Sequence, residues 1–120
     1  MLGATYFLLQ GIAVIAWWLG LAYVSGFPRL FLPVGALDSA FIAFAAPDVV
    51  VLALGSIITA ALSFRGRPSA RIGAWLTTGA VAYAAVYTVT WTALVDAPRL
   101  SAALMLAAMV LSVWCARRTV

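Results

Sequence analysis

The feature that most constrains this chain is the placement of its charges. Four apolar runs, at about residues 5–24, 48–64, 72–95 and 100–116, take up most of the 120 residues. The entire charged complement, seven Arg and three Asp, falls in the breaks between runs, at their ends or in the tail. A helix needs about 20 predominantly apolar residues to cross the hydrocarbon of a bilayer, so the chain has room for four spans with short connections. Charged residues make up 8% of the sequence and hydrophobic ones 67%, whereas an ordinary soluble domain is about a quarter charged. Too little polar surface remains to coat a soluble particle. The expected fold is all-α: an integral membrane four-helix bundle forming a single domain over residues 1–120.

The breaks carry helix-ending residues. Ser25-Gly26-Phe27-Pro28-Arg29 closes the first run, Arg65-Gly66-Arg67-Pro68 the second, and Asp96-Ala97-Pro98-Arg99 turns the third into the fourth, which Arg117-Arg118 stops. The first run is not read as a signal peptide: no basic residue precedes it, it is long for a signal core, and no small-x-small cleavage site follows. Arginine is retained on the cytoplasmic side of spans. One face holds Arg65, Arg67, Arg71, Arg117 and Arg118, and the other holds only Arg29 and Arg99 beside Asp38, Asp48 and Asp96. Both termini are therefore expected in the cytoplasm, with the chain multi-pass in the inner (plasma) membrane. Aromatic belts agree, with Tyr6, Trp75 and Trp114 towards the inner surface and Trp17, Trp18, Tyr23 and Trp91 towards the outer one.

The outer loop, residues 25–47, is long and apolar, so it must lie on something apolar rather than in water. Within it a short interfacial helix is expected over about 39–46, with Asp38 as its N-cap and Pro47 as its end. Phe41 and Phe44, spaced i, i+3, share one face of that helix. It either tiles the outer end of the bundle or acts as a lid.

Much chemistry is excluded by residue type. No span carries a carboxylate, histidine or lysine at depth, which disfavours proton- or ion-coupled transport, including a proton-driven exporter of the small multidrug type. The sequence has no His and a single cysteine, Cys115, so histidine-ligated haem, zinc-hydrolase sites, Ser-His or Cys-His nucleophiles, an internal disulfide and a CxxC pair are all ruled out within the chain. Cys115 reads as a small apolar filler. Asp38, Asp48 and Asp96 each precede an expected helix, so they read as caps, ion-paired with Arg29 or Arg99, in preference to a metal or catalytic site. No cofactor is called for, and the dispersed arginines do not form a nucleic-acid-binding face.

Polar groups inside the runs read as glue between helices. Gln10 is expected level with Thr77 and Thr78, and Tyr83 roughly level with residues 56–59. Small residues recur every fourth position in Gly55, Thr59 and Ser63, in Ala80, Ala84 and Thr88, and in Ala103 and Ala107, which suits close helix approach. Any such stripe not used internally would mark an interface. The tripeptide Pro-Arg-Leu recurs at 28–30 and 98–100. Pro suits a helix start and Arg the headgroup level, so local need explains the recurrence as well as duplication does.

Trp17-Trp18, Phe31-Leu32-Pro33, Phe41-Ile42-Ala43-Phe44 before Pro47-Asp48, Ala82-Tyr83 and Tyr87 together resemble small uncharacterised four-helix membrane proteins of bacteria. They are also loosely similar to modules found with isoprenylcysteine-methyltransferase-like domains. No catalytic residue carries over, because that family's cofactor-binding motifs have no counterpart here. The leading reading is a non-catalytic accessory or assembly subunit, or a homo-oligomeric bundle, whose partners are membrane lipids and another membrane protein or itself. The alternative is a protein that binds or transports a lipid or small hydrophobe in a pocket under the outer loop, formed by Phe41, Phe44, Tyr83, Tyr87 and Trp91. A third reading, an enzyme using Asp48 and Asp96, ranks below both.

Overall fold

The computed structural model describes residues 1–33 and 38–119, without the side chains of residues 38–42. Among these residues the chain is all-helical. Helix α1 is Leu2–Tyr23 and α2 is Asp38–Pro47; α2 runs through a π-helical stretch, Asp48–Leu54, into α3, Gly55–Phe64. Helix α4 is Ser69–Val95 and α5 is Arg99–Arg118. Four helices are long and apolar enough to cross a membrane: Leu2–Tyr23, Ala43–Phe64, Ser69–Val95 and Arg99–Arg118. Each expected run starts one to five residues late, and the first ends one residue past its helix, because flanking residues, apolar as well as polar, continue the helical hydrogen bonding.

The second span departs most from expectation. Pro47 does not end a separate interfacial helix, and Asp48 does not begin a new one. Backbone at Pro47 remains right-handed helical, and the chain is helical without a break from Asp38 to Phe64. Proline has no N–H to donate and its ring crowds the carbonyl four residues back, which breaks the α ladder. Widening to i→i+5 bonding is one way a helix absorbs such a break.

The span-length helices pack as a ring in which α1 touches α3 and α5, and α4 touches the same two. The second and third spans, and the third and fourth, are antiparallel, since their connections are short. The turn after α3 shows why: Gly66 sits at φ 62° and the Arg67 N–H donates back to the Leu62 carbonyl at 3.0 Å, a tight left-handed helix ending. The long axis of the molecule is 46 Å, close to the ~40–45 Å of a bilayer with its headgroups.

The core is made of small residues around one large one. Phe7 is buried among Ala60, Ala74, Cys115 and Ala116. Cys115 fills space there with no disulfide. Close approach is strictest where α1 crosses the second span: a Cβ on Gly11 would lie 2.9 Å from the Ala53 carbonyl oxygen and 2.7 Å from Ile57 Cγ1. Buried positions on α1 (Ala4, Phe7, Gly11), on α4 from Ala70 to Val81 and on α5 (Ser112, Cys115, Ala116) lie in the half of the bundle nearer the arginine-rich end, while Leu52, Ala53 and Ala85 are buried just beyond its middle.

The first part of the outer loop folds back on the opposite end of the bundle, as its apolar content demands. A short 3-10 turn, Phe27–Leu30, follows α1. Phe31 beyond it is buried, with its ring 5.6 Å from Trp17 and 4.9 Å from Phe27. Ser101 at the start of α5 donates to the Phe31 carbonyl at 3.2 Å, which pins the loop across the bundle end.

Candidate functional site

A layer of neutral polar side chains crosses the half nearer the arginine-rich end. Gln10 of α1 donates through Nε2 to Ser56 Oγ of α3 at 3.0 Å and accepts at Oε1 from Ser112 Oγ of α5 at 2.9 Å. Tyr6, one turn earlier on α1, donates to the Ala108 carbonyl at 2.9 Å, and its oxygen is also 2.9 Å from Ser112 Oγ. Ser112 has one hydroxyl hydrogen, committed to Gln10, so Tyr6 supplies the hydrogen between them and shares it with Ala108. Thr59 of α3 and Thr77 of α4 are bonded at 3.2 Å, and Thr78 donates to the Ser112 carbonyl at 3.3 Å. All four span-length helices are thereby tied at one level.

Level was readable from the sequence; partnership was not. Gln10 lies in the same layer as Thr77 and Thr78 but bonds to Ser56 and Ser112. Tyr6 is turned into the bundle rather than out to an aromatic belt. Ser112 was not singled out at all, because one serine in an apolar run carries no signal until its helix is rotated against its neighbours. Every member is an amide or hydroxyl, so the layer can hold helices in register but carries no charge. Among the described residues no group of three His, Cys, Asp or Glu could hold a metal ion.

Asp48 and Asp96 do not cap helix starts as expected. Asp48 lies within the continuous helix, and its Oδ2 accepts from Trp18 Nε1 at 3.2 Å. Asp96 ends α4 instead of starting α5: its backbone is left-handed, φ 51°, and the Ala97 N–H donates to the Thr92 carbonyl at 3.3 Å. Pro98 takes the cap position of α5. Asp38 is the first residue of α2, and its side chain lies outside the described residues. Among the described residues neither Arg29 nor Arg99 makes an ion pair with Asp48 or Asp96; both arginines are exposed.

The expected hydrophobe pocket is only partly assembled. Phe44 and Tyr87 stack, with ring centroids 4.8 Å apart. Trp91, one turn further along α4, is half-buried, whereas Tyr83 points outward and is 76% exposed. Tyr83 therefore does not reach the polar residues 56–59. The Phe41 side chain lies outside the described residues. Near this end the Thr92 hydroxyl is buried without a hydrogen-bond partner.

Two outward faces stand out. On α4, Leu76, Gly79, Tyr83, Val86 and Thr90 alternate three and four residues apart, and all are exposed. Among the described residues neither the Tyr83 nor the Thr90 hydroxyl has a hydrogen-bond partner, whereas Thr88 donates to its own helix at Ala84, 2.8 Å away. On α5, Ala103 and Ala107 are exposed, so that small-residue stripe is not consumed by internal packing. Comparison with known proteins adds no relative: no family model, curated protein or solved structure matches the chain.

Proposed function

We propose that this chain is an integral protein of the inner (plasma) membrane, with both termini cytoplasmic, that serves as a non-catalytic assembly subunit pairing with itself or with another membrane protein. Five arginines at one end support the orientation. The observation that carries the assembly reading is the Tyr83 hydroxyl, near the middle of α4, exposed and without a partner among the described residues. In hydrocarbon a hydroxyl has no water to bond, so a neighbouring helix is its natural partner. Thr90 lies two turns along the same face. Gly79 between Leu76 and Tyr83, and Ala103 with Ala107 on α5, leave room for a second backbone to approach.

Native mass spectrometry of the protein released from membranes with its neighbours tests this. The expected result is a dimer or a defined hetero-complex that the double substitution Tyr83→Phe, Thr90→Val weakens. A wild-type protein that emerges only as a monomer overturns the assembly reading.

A second reading, a protein that holds a lipid or small hydrophobe under the outer loop, draws on the Phe44–Tyr87 ring contact and on the buried Thr92 hydroxyl, unpartnered among the described residues. Phe44→Ala removes the ring stacked on Tyr87 and is expected to release such a ligand. Retention of bound hydrophobe at wild-type levels would argue against it.

A further inference from the structure

At the arginine-rich end lies a cavity of about 210 Å³ that neither reading above uses. Its walls are Met1, Gly3 and Ala4 at the start of α1, Ser63 in the last turn of α3, and Arg118 and Thr119 at the end of α5. Ser63 Oγ is buried and has no hydrogen-bond partner. The Thr119 hydroxyl is already committed, donating to the Cys115 carbonyl at 3.0 Å. The first-turn N–H groups of α1 have no acceptor within their helix, and no side chain caps them. Among the described residues Arg118 makes no ion pair; its guanidinium is 4.0 Å from the Trp114 ring centroid. All three aspartates of the chain lie towards the opposite end.

A buried hydroxyl donor, first-turn backbone N–H groups and a guanidinium around one space are complementary to a phosphate group. Leu2, Phe64 and Trp114, exposed neighbours of the lining residues, offer apolar surface beside the cavity where acyl chains can lie. Basic pockets between membrane helices are a recurrent way of holding anionic headgroups. We propose that this cavity binds the phosphate of an anionic phospholipid headgroup, with Arg118 supplying the charge and Ser63 the hydroxyl donor. The proposal rests on the membrane placement proposed above but is independent of assembly.

The test is native mass spectrometry of the full chain after reconstitution with phosphatidylglycerol or phosphatidylcholine. Wild type is expected to retain one phosphatidylglycerol in preference to phosphatidylcholine. Arg118→Gln should lower that retention about fivefold, Arg118→Lys should restore most of it, and Arg71→Gln, at the same end but outside the cavity, should match wild type. Ser63→Ala should lower phosphatidylglycerol retention while leaving thermal stability in phosphatidylcholine unchanged or higher, because it removes an unsatisfied hydroxyl. If Arg118→Gln does not fold, the Lys and Ser63 variants carry the test. Equal retention of the two lipids, equal losses from Arg71→Gln and Arg118→Gln, or occupancy by inorganic phosphate with no competition from phosphatidylglycerol would each overturn the lipid site. A chain that fails to insert into bilayers at all would instead overturn the membrane placement.

Discussion

Trp18 donates its indole N–H to Asp48 Oδ2 across 3.2 Å, joining the outer half of α1 to the first residue of the π-helical stretch. Because Pro47 precedes it, Asp48 stands where the helical ladder changes pitch, and a neighbouring helix rather than its own backbone satisfies its carboxylate. The bond explains a carboxylate in a mostly apolar helix without invoking catalysis.

A double-mutant cycle on Trp18→Phe and Asp48→Ala is expected to give a coupling of about 1 kcal/mol, near the middle of the range for such bonds. Asp48→Asn should cost less than Asp48→Ala, since the amide oxygen still accepts the indole hydrogen. Denaturant unfolding in detergent measures each variant, and zero coupling would show that the contact contributes nothing.

Gly11→Ala places a methyl 2.9 Å from the Ala53 carbonyl oxygen, a backbone atom that cannot swing aside. The expected loss is about 1–3 kcal/mol, as for other overpacked contacts. Gly79→Ala meets nothing within 4 Å and should gain up to about 1 kcal/mol of helix propensity in the monomer. Thermal melts of the two variants should therefore move in opposite directions.

Asp96→Gly separates the two possible roles of that residue. At a helix start the exchange would cost a few tenths of a kcal/mol. At the left-handed position that Asp96 occupies, φ 51°, glycine relieves steric strain and should stabilise by about 1 kcal/mol. A lower melting temperature for Asp96→Gly would count against the helix-ending role.

Gln10→Leu deprives Ser56 and Ser112 of one partner each and is expected to cost about 1–2 kcal/mol. Adding Ser112→Ala to Gln10→Leu should cost less than Ser112→Ala alone, because the serine has by then lost its acceptor on Gln10. Strictly additive losses in unfolding titrations would mean that the polar layer does not act as a network.

How much was legible beforehand differs from residue to residue for physical reasons. Arg65, Arg67, Arg117 and Arg118 mark helix ends because a guanidinium is costly to place in hydrocarbon, so a one-dimensional pattern locates the apolar helices between them. Pro47 misled because proline usually stops a helix; a π-helical stretch let this one continue, and one chain's local sequence does not reveal that rescue. Asp96 misled because an aspartate between two helices suits the end of the first as well as the start of the second. Tyr83 and Gln10 are both isolated polar groups in apolar runs, yet one faces outward and the other holds three helices together.

The sequence by itself determined that four apolar helices exist, where they begin and end to within a few residues, and which side chains share a level. Those properties depend on the cost of burying charge and on a fixed rise per residue, both local. Only the tertiary structure decided the rotation of each helix about its axis, and with it that Ser112 meets Gln10, that Gly11 meets Ala53, and that Tyr83 is left outside. In helices that are apolar on every side the hydrophobic pattern barely prefers one face, so rotation is set by contacts between residues far apart in the chain.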